Sequence, residues 1–334
     1  MEMRNIKRSF MKKALAWTLL GLVGGWFLPV LPSMAAEPPS IQRAAPPPAV
    51  EEKKEEAPTT CGPLLSDTCI PLQEHKMSMA ITWSYSFYPG VFNNNWKYAS
   101  IGGNFGTFYM PVRFTYGVMK NWETYVIAPF VVNMANSVTN PAPNGNTSAT
   151  YTGIGDISWF NKYLLVEESD THPAVSGVFG IGFPTGHASH LNSRFLGVDA
   201  IGTGSFAFTT GFNFYKWVKP LLIYSNVWIT NPVNIYPDRD NNVRSRSFVT
   251  FNLAAECPLN KKFVALCEMY SNWTWTTITT PQGYQTPQTV LGILPGIEYL
   301  ATDKMSFSAG ASLDLLGRNG VRKYTPMLTM FYSF

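Results

Sequence analysis

Charge is scarce in this chain of 334 residues. Asp, Glu, Lys and Arg together supply 14% of it, where soluble globular domains run near a quarter. A water-facing surface of ordinary composition is therefore hard to assemble from these residues. Cysteine is equally sparse, four in all, which excludes a disulfide-dense scaffold. No Cys-x-x-Cys-His occurs, so covalent haem attachment has no support, and no cofactor is expected. Past residue 35 there is no apolar run long enough for a helical span, and the mean hydropathy is −0.03; a polytopic helical membrane protein is excluded on that ground. Convincing 3.6-residue periodicity is missing too, which argues against a helical bundle.

What is present begins with an export signal over residues 1–35. Arg4, Lys7, Arg8, Lys12 and Lys13 form a basic start, Ala14 to Leu31 an apolar run, and Ser33-Met34-Ala35 a small-residue site for cleavage before Ala36. Removing this leader takes away five basic residues and one acid, Glu2, and leaves twenty of each sign. The net charge of +4 thus belongs to the leader, and nothing in the balance calls for a nucleic-acid partner.

Residues 36–76 hold no Phe, Tyr or Trp but eight prolines, with Pro46-Pro47-Pro48 and a charge run from Glu51 to Glu56. Such a stretch buries too little apolar area to offset its ordering entropy. It is expected to be a disordered, Pro-rich extension in the periplasm, a spacer able to touch the cell wall or a periplasmic partner. If it is only a tether, its deletion leaves the folded body of the chain intact; if it is a plug, folding suffers. Cys61 and Cys69, eight apart in an oxidising compartment, are expected to form a small disulfide loop.

The C-terminus is the sharpest signal. Counting back in twos from Phe334 gives Tyr332, Met330 and Leu328, one apolar face of a strand ending on an aromatic residue. This looks like the C-terminal assembly signal of bacterial outer-membrane barrels, which implies outer-membrane lipid and the barrel-assembly machinery as partners.

The body, residues 77–334, alternates with period two. Phe108, Met110, Val112, Phe114 and Tyr116 interleave with Thr107, Tyr109, Pro111, Arg113 and Thr115; Phe206 to Phe214 and Phe307 to Leu313 behave alike. Twelve strands are expected, near 77–88, 105–117, 122–135, 153–167, 173–184, 202–216, 219–231, 246–257, 262–277, 289–300, 304–315 and 323–334. An even count returns both chain ends to one side. Short turns fall near 118–121, 168–172, 217–219, 260–261 and 302–303, and longer loops near 89–104, 136–152, 187–201, 232–245 and 280–288. The expected fold is all-β: a transmembrane, up-and-down, antiparallel barrel in the outer membrane of a Gram-negative bacterium. In lipid every backbone polar group must pair internally, so a β-span has to close. A lipid face and a water face then average to a hydropathy near zero.

Several segments resemble a known family: Gly153-Ile-Gly-Asp156 followed by Lys162-Tyr, Gly180-Ile-Gly-Phe-Pro184-Thr-Gly186, Gly202-Thr-Gly-Ser205, and the short turn Gly117 to Glu123. Together, over residues 77–334, they are similar to the MetA-pathway phenol-degradation family of transporter-like outer-membrane barrels. The resemblance implies a fold and a location and names no solute.

The alternation places Arg113, Glu123, Asp156, Lys162, Glu256, Glu268, Glu298 and Asp314 on the lumen face, six acids against two bases. Arg113 and Glu123 are expected nearly opposite each other across their hairpin. Either these groups satisfy one another and fill a narrow interior, or they line a narrow channel for small or hydrophobic solutes with a mild cation preference. A structural or interaction role in the membrane is the alternative. An outer-membrane lipase is less favoured: His187, Ser189 and His190 are ingredients of nucleophilic catalysis but crowd into one loop, and two histidines without a third ligand make a weak metal site. No catalytic or metal residue is assigned. Cys257 and Cys267, evenly spaced on neighbouring strands, are expected to share a face.

Overall fold

The computed structural model describes residues 60–235, 245–275, 278–280 and 283–334. The leader and the extension up to residue 59 lie outside the described residues. The strands are β1 (Met77–Phe92), β2 (Tyr98–Met119), β3 (Trp122–Asn136), β4 (Ala149–Ile154), β5 (Ile157–Val166), β6 (Ala174–Phe183), β7 (Ser205–Val218), β8 (Leu221–Asn234), β9 (Phe248–Pro258), β10 (Phe263–Thr274), β11 (Ile278–Thr280), β12 (Gly283–Gln285), β13 (Thr289–Leu300), β14 (Met305–Arg318) and β15 (Val321–Ser333).

Each wall strand pairs antiparallel with its chain neighbour, and β1 pairs with both β2 and β15. The sheet therefore closes. β4 and β5 are two halves of one wall strand, pairing with the outer and inner parts of β3, and β11–β12 is a small separate hairpin. The closed wall has twelve strands, as the periodicity predicts. Among the described residues no helix is long and apolar enough to cross a membrane; the crossing elements are strands.

The register sorts side chains cleanly by face. On β2, Phe108, Met110, Val112, Phe114 and Tyr116 share the outer face, while Thr107, Arg113 and Thr115 face inward opposite Ser86, Ala80 and Ser78 of β1. Large apolar side chains remain exposed all around the outside, among them Phe114, Phe179, Phe212, Ile229, Leu253, Met269 and Ile297. In water such a belt would be far larger than the apolar patches of soluble monomers; against hydrocarbon it is the required surface. The inner face is the reverse, with Ser176, Asn213, Asn226, Glu256, Glu268, Glu298, Ser308 and Asp314 buried.

At the end carrying Met77, the short turns and Phe334, called here the terminal end, the seam is tied by the Phe334 amide donating to the Met77 carbonyl (3.0 Å). Along this seam Leu328, Met330 and Tyr332 pair with Trp83, Ile81 and Met79 on the outer face. The opposite, loop end differs from expectation at 89–104. The strands run on to Phe92 and from Tyr98, with a register shift between Tyr88 and Gly90, so only a short turn remains. Four β2 residues, 101–104, stand opposite the single Pro89 there, and this irregularity absorbs the residues that break the alternation. Near the loop end the wall is also incomplete. β4 ends the sheet, with β3 as its one strand neighbour among the described residues, and the segment between β6 and β7 folds back against it.

Candidate functional site

Residues 60–72 lie inside the barrel. They contact β2, β3, β5, β7, β8, β10, β13 and β14, strands from around the whole wall, which only a segment inside the lumen can do. The expectation of a disordered extension reaching residue 76 is corrected over this stretch. The cause is nonlocal: inward polar side chains supply hydrogen-bond partners that the segment lacks by itself.

The segment enters at Cys61, whose amide donates to Glu298 Oε1 (2.7 Å) and whose Sγ meets Glu298 and Ser306. Three successive amides, Leu64, Leu65 and Ser66, then converge on the Glu268 carboxylate at 2.6, 3.0 and 2.7 Å, and the Ser66 hydroxyl adds a fourth donor at 2.7 Å. Charge-assisted bonds of this kind are about twice as strong as neutral ones. The Asp67 amide donates to Asn226 Oδ1 (2.8 Å), and Leu72 N donates to Glu123 Oε2 (2.6 Å). At the exit, His75 N donates to the Gly117 carbonyl and Gly117 N to the Lys76 carbonyl. Gly117 allows this crossing because any Cβ there would collide with the Gln73 carbonyl.

Asp67 is the centre of the arrangement. Its Oδ1 receives Arg113 Nη1 at 2.9 Å, and its Oδ2 receives Asn213 Nδ2 at 2.9 Å and lies 3.5 Å from Lys162 Nζ. Lys162, 0% exposed, also reaches Glu123 Oε1 at 2.9 Å and donates to the Thr68 carbonyl at 2.7 Å. Arg113 completes the ring, 3.3 Å from Glu123 Oε1 and stacked 3.6 Å over the Tyr125 ring. Two acids and two bases thus neutralise one another, while Lys162 also donates to Thr68 of the segment and Arg113 Nε to Thr115 Oγ1 of the wall. Burial alone would push the Asp67 carboxyl up, but Lys162 and Arg113 hold it below its ordinary value.

Of the eight residues read as lumen-lining, Arg113, Glu123, Lys162, Glu268 and Glu298 bond directly to residues 60–72. Arg113 and Glu123 meet, but not as directly opposed residues: the register sets Arg113 against Ile127 and Glu123 against Gly117, and their long side chains close the gap. Glu256 accepts from Tyr224 Oη at 3.1 Å, and that hydroxyl lies 3.3 Å from Thr60 Oγ1. Asp314 accepts from Tyr270 Oη (2.7 Å) and Lys323 N (2.9 Å) within the wall.

Asp156 is used differently. It stands at the break between β4 and β5, accepting from Gly186 N (2.9 Å) on one oxygen and from Thr203 N (2.7 Å) and Oγ1 on the other. Three motif segments that are distant in sequence meet there, with Gly186 and Gly202 packed too closely for any Cβ. The loop they anchor also holds the histidines. His187 Nδ1 donates to the Asp199 carbonyl (2.9 Å) and its ring stacks on Tyr151.

The expected Cys61–Cys69 disulfide is not formed. Cys61 is held at β13 and β14, while Cys69, 0% exposed, donates to the Asn213 carbonyl on β7. Sequence spacing could not reveal that the two thiols are drawn to different strands. Cys257 and Cys267 do share the outer face, offset by two residues in register, and are free thiols.

Sequence reasoning missed Asp67, Asn213, Asn226 and Tyr125 as members of the site. One signal was available: from residue 60 on, the Pro- and Glu-rich composition gives way to Leu64, Leu65, Ile70 and Leu72, a run able to bury area.

A family model described as the MetA-pathway of phenol degradation matches residues 93–325. No curated protein gives a significant match. Among solved structures, an outer membrane channel from Pseudomonas putida F1 is similar at 11% identity, covering 80% of this chain and 98% of that one, with a TM-score of 0.64. The translocator domain of the autotransporter NalP from Neisseria meningitidis gives 12% identity, 78% and 88% coverage and a TM-score of 0.45. The toluene transporter TbuX from Ralstonia pickettii gives 8% identity, 78% and 90% coverage and a TM-score of 0.39.

Proposed function

Since the chain belongs to the MetA-pathway phenol-degradation family, we propose that it is a narrow outer-membrane channel for small or hydrophobic solutes, closed at its terminal end by its own residues 60–72. The observation that carries this reading is how the interior is filled. Were the barrel only a structural post, its inward groups would satisfy one another across the wall. Instead Glu268 and Glu298 spend their hydrogen bonds on a separate segment of chain, which can leave without breaking the wall ladder. The similar barrel from P. putida is named a channel, in keeping with this reading.

The terminal end, with its short turns and both ends of the barrel chain, faces the periplasm on this view, and the loop end faces outward. Leu328, Met330, Tyr332 and Phe334 then form the strand face offered to the assembly machinery and to lipid. The test is liposome swelling with the refolded chain across neutral and charged solutes of graded size. Uptake of small neutral solutes, faster when residues 60–72 are deleted, supports the channel. A barrel that stays impermeable with the segment removed refutes it.

A further inference from the structure

A cavity of about 500 Å³ opens at the loop end, between the ends of β1, β2 and β3 and the tip of the β6–β7 loop. That volume falls in the range of small-molecule sites, about 300–1,000 Å³. Its apolar walls include Val91, Phe105, Leu196 and Val198, Thr139 and Asn140 add neutral polar groups beside Tyr88, and no Asp, Glu, Lys, Arg or His lines it. This is unusual in a lumen whose other half is held together by charge.

The polar groups on its floor form one directed chain. Tyr88 Oη donates to Thr107 Oγ1 at 3.1 Å, Thr107 Oγ1 donates to Asn133 Oδ1 at 2.7 Å, and Asn133 Nδ2 donates to the carbonyls of Val198 (3.0 Å) and Ala200 (3.2 Å). Every hydrogen of the chain is committed, and the loop tip is pinned by its last member. The phenolic oxygen of Tyr88 keeps a lone pair. The floor can therefore accept a hydrogen bond and cannot give one. An anion entering here would meet no cationic group and a cation no carboxylate, so either would lose water without a counter-charge.

Resting on the channel reading, which it deepens by naming a solute class, we propose that this cavity binds a neutral, mainly apolar small molecule carrying one hydrogen-bond donor, with Tyr88 Oη as the acceptor. The site selects at the outer mouth by refusing charge, before a solute reaches the plugged half.

The experiment is isothermal titration of the full-length, amphipol-held protein with 1-naphthol, with 1-naphthalenesulfonate, which sets an anion on the same ring, and with naphthalene, which lacks the donor. The site predicts one saturable equivalent of 1-naphthol, with the sulfonate at least about tenfold weaker, a difference of about 1.4 kcal/mol. Val198→Trp, which fills the cavity from the loop, should weaken 1-naphthol about tenfold. Tyr88→Phe should weaken 1-naphthol and leave naphthalene unchanged. Equal binding of the sulfonate, unsaturable uptake typical of partition into the apolar belt, or a Val198→Trp protein that binds as before would each overturn the site. Binding intact in a barrel that fails liposome swelling would overturn the channel and leave the site standing.

Discussion

The two halves of the lumen solve opposite problems. At the terminal end, Asp67, Glu123, Arg113 and Lys162 lock a chain segment into the barrel through ion pairs between 2.9 and 3.5 Å. At the loop end, the cavity beside Phe105 and Val198 has no charged lining and stays open. Buried charge is tolerable only when each group finds a partner, and then it specifies one arrangement. An uncharged cup specifies little about shape and much about which solutes are admitted. On the proposed channel reading, closure and selection are assigned to different depths of one barrel.

The strongest way to break it is to unbalance the ionic knot. Lys162→Met leaves Asp67 and Glu123 sharing Arg113 alone, and breaking a buried pair costs about 3–5 kcal/mol. Release of the segment is the expected outcome, read as maleimide labelling of Cys69, which is fully buried when the segment is docked, in a background with Cys61, Cys257 and Cys267 changed to Ser. A Lys162→Met protein labelling no faster than its parent would show that the knot does not hold the segment.

Glu268→Gln should act in the same direction more weakly. It keeps an acceptor for Leu64 and Ser66 but loses the charge, and a hydrogen bond to a charged group contributes about 1.5–3 kcal/mol. The same labelling assay measures it, and the loop-end affinity for 1-naphthol should not move. A loss at both ends would merge the two halves into one.

Acid offers a subtler separation. Asp67 is held below its ordinary value of 3.8 in the docked state, so the released segment takes up the proton first. Its contribution to docking is complete above that ordinary value and fades as pH falls from there through the docked value. Faster modification of Cys69 below pH 3.8 is expected with 2,2′-dipyridyl disulfide, a reagent that is itself activated in acid and so replaces maleimide here, with Asp67→Asn removing that component of the response. An unchanged profile in Asp67→Asn would assign the acid sensitivity elsewhere. Smallest of all should be Thr107→Val, which removes both floor bonds of that hydroxyl but leaves the Tyr88 acceptor in place: a change on the order of 1 kcal/mol is expected in 1-naphthol affinity, and none in labelling.

The same contrast explains what could be read from the amino-acid order. Lipid outside and polar groups inside force a period of two on every wall strand, so the alternation around Phe108–Tyr116 and the even strand number were legible, as was the lumen face of Lys162 and Glu268. Residues 60–76 carry no such constraint of their own. Their conformation is dictated by Glu268, Asn226 and Asn213, which lie far along the chain, and a Pro-rich neighbourhood masked the switch to Leu64 and Leu65. The disulfide expectation failed for the same reason, since Cys61 and Cys69 follow different walls. Asp156 shared the lumen parity, yet the break between β4 and β5 turned it onto Gly186 and Thr203.

The most direct test of a barrel closed by its own segment is single-channel recording in planar bilayers, comparing the full-length chain with one lacking residues 60–72. Low conductance in the first and a several-fold larger, mildly cation-selective conductance in the second is the expected result, since removal uncovers Glu256, Glu268 and Glu298. Equal conductance in the two proteins, or an anion-selective opened barrel, would contradict it.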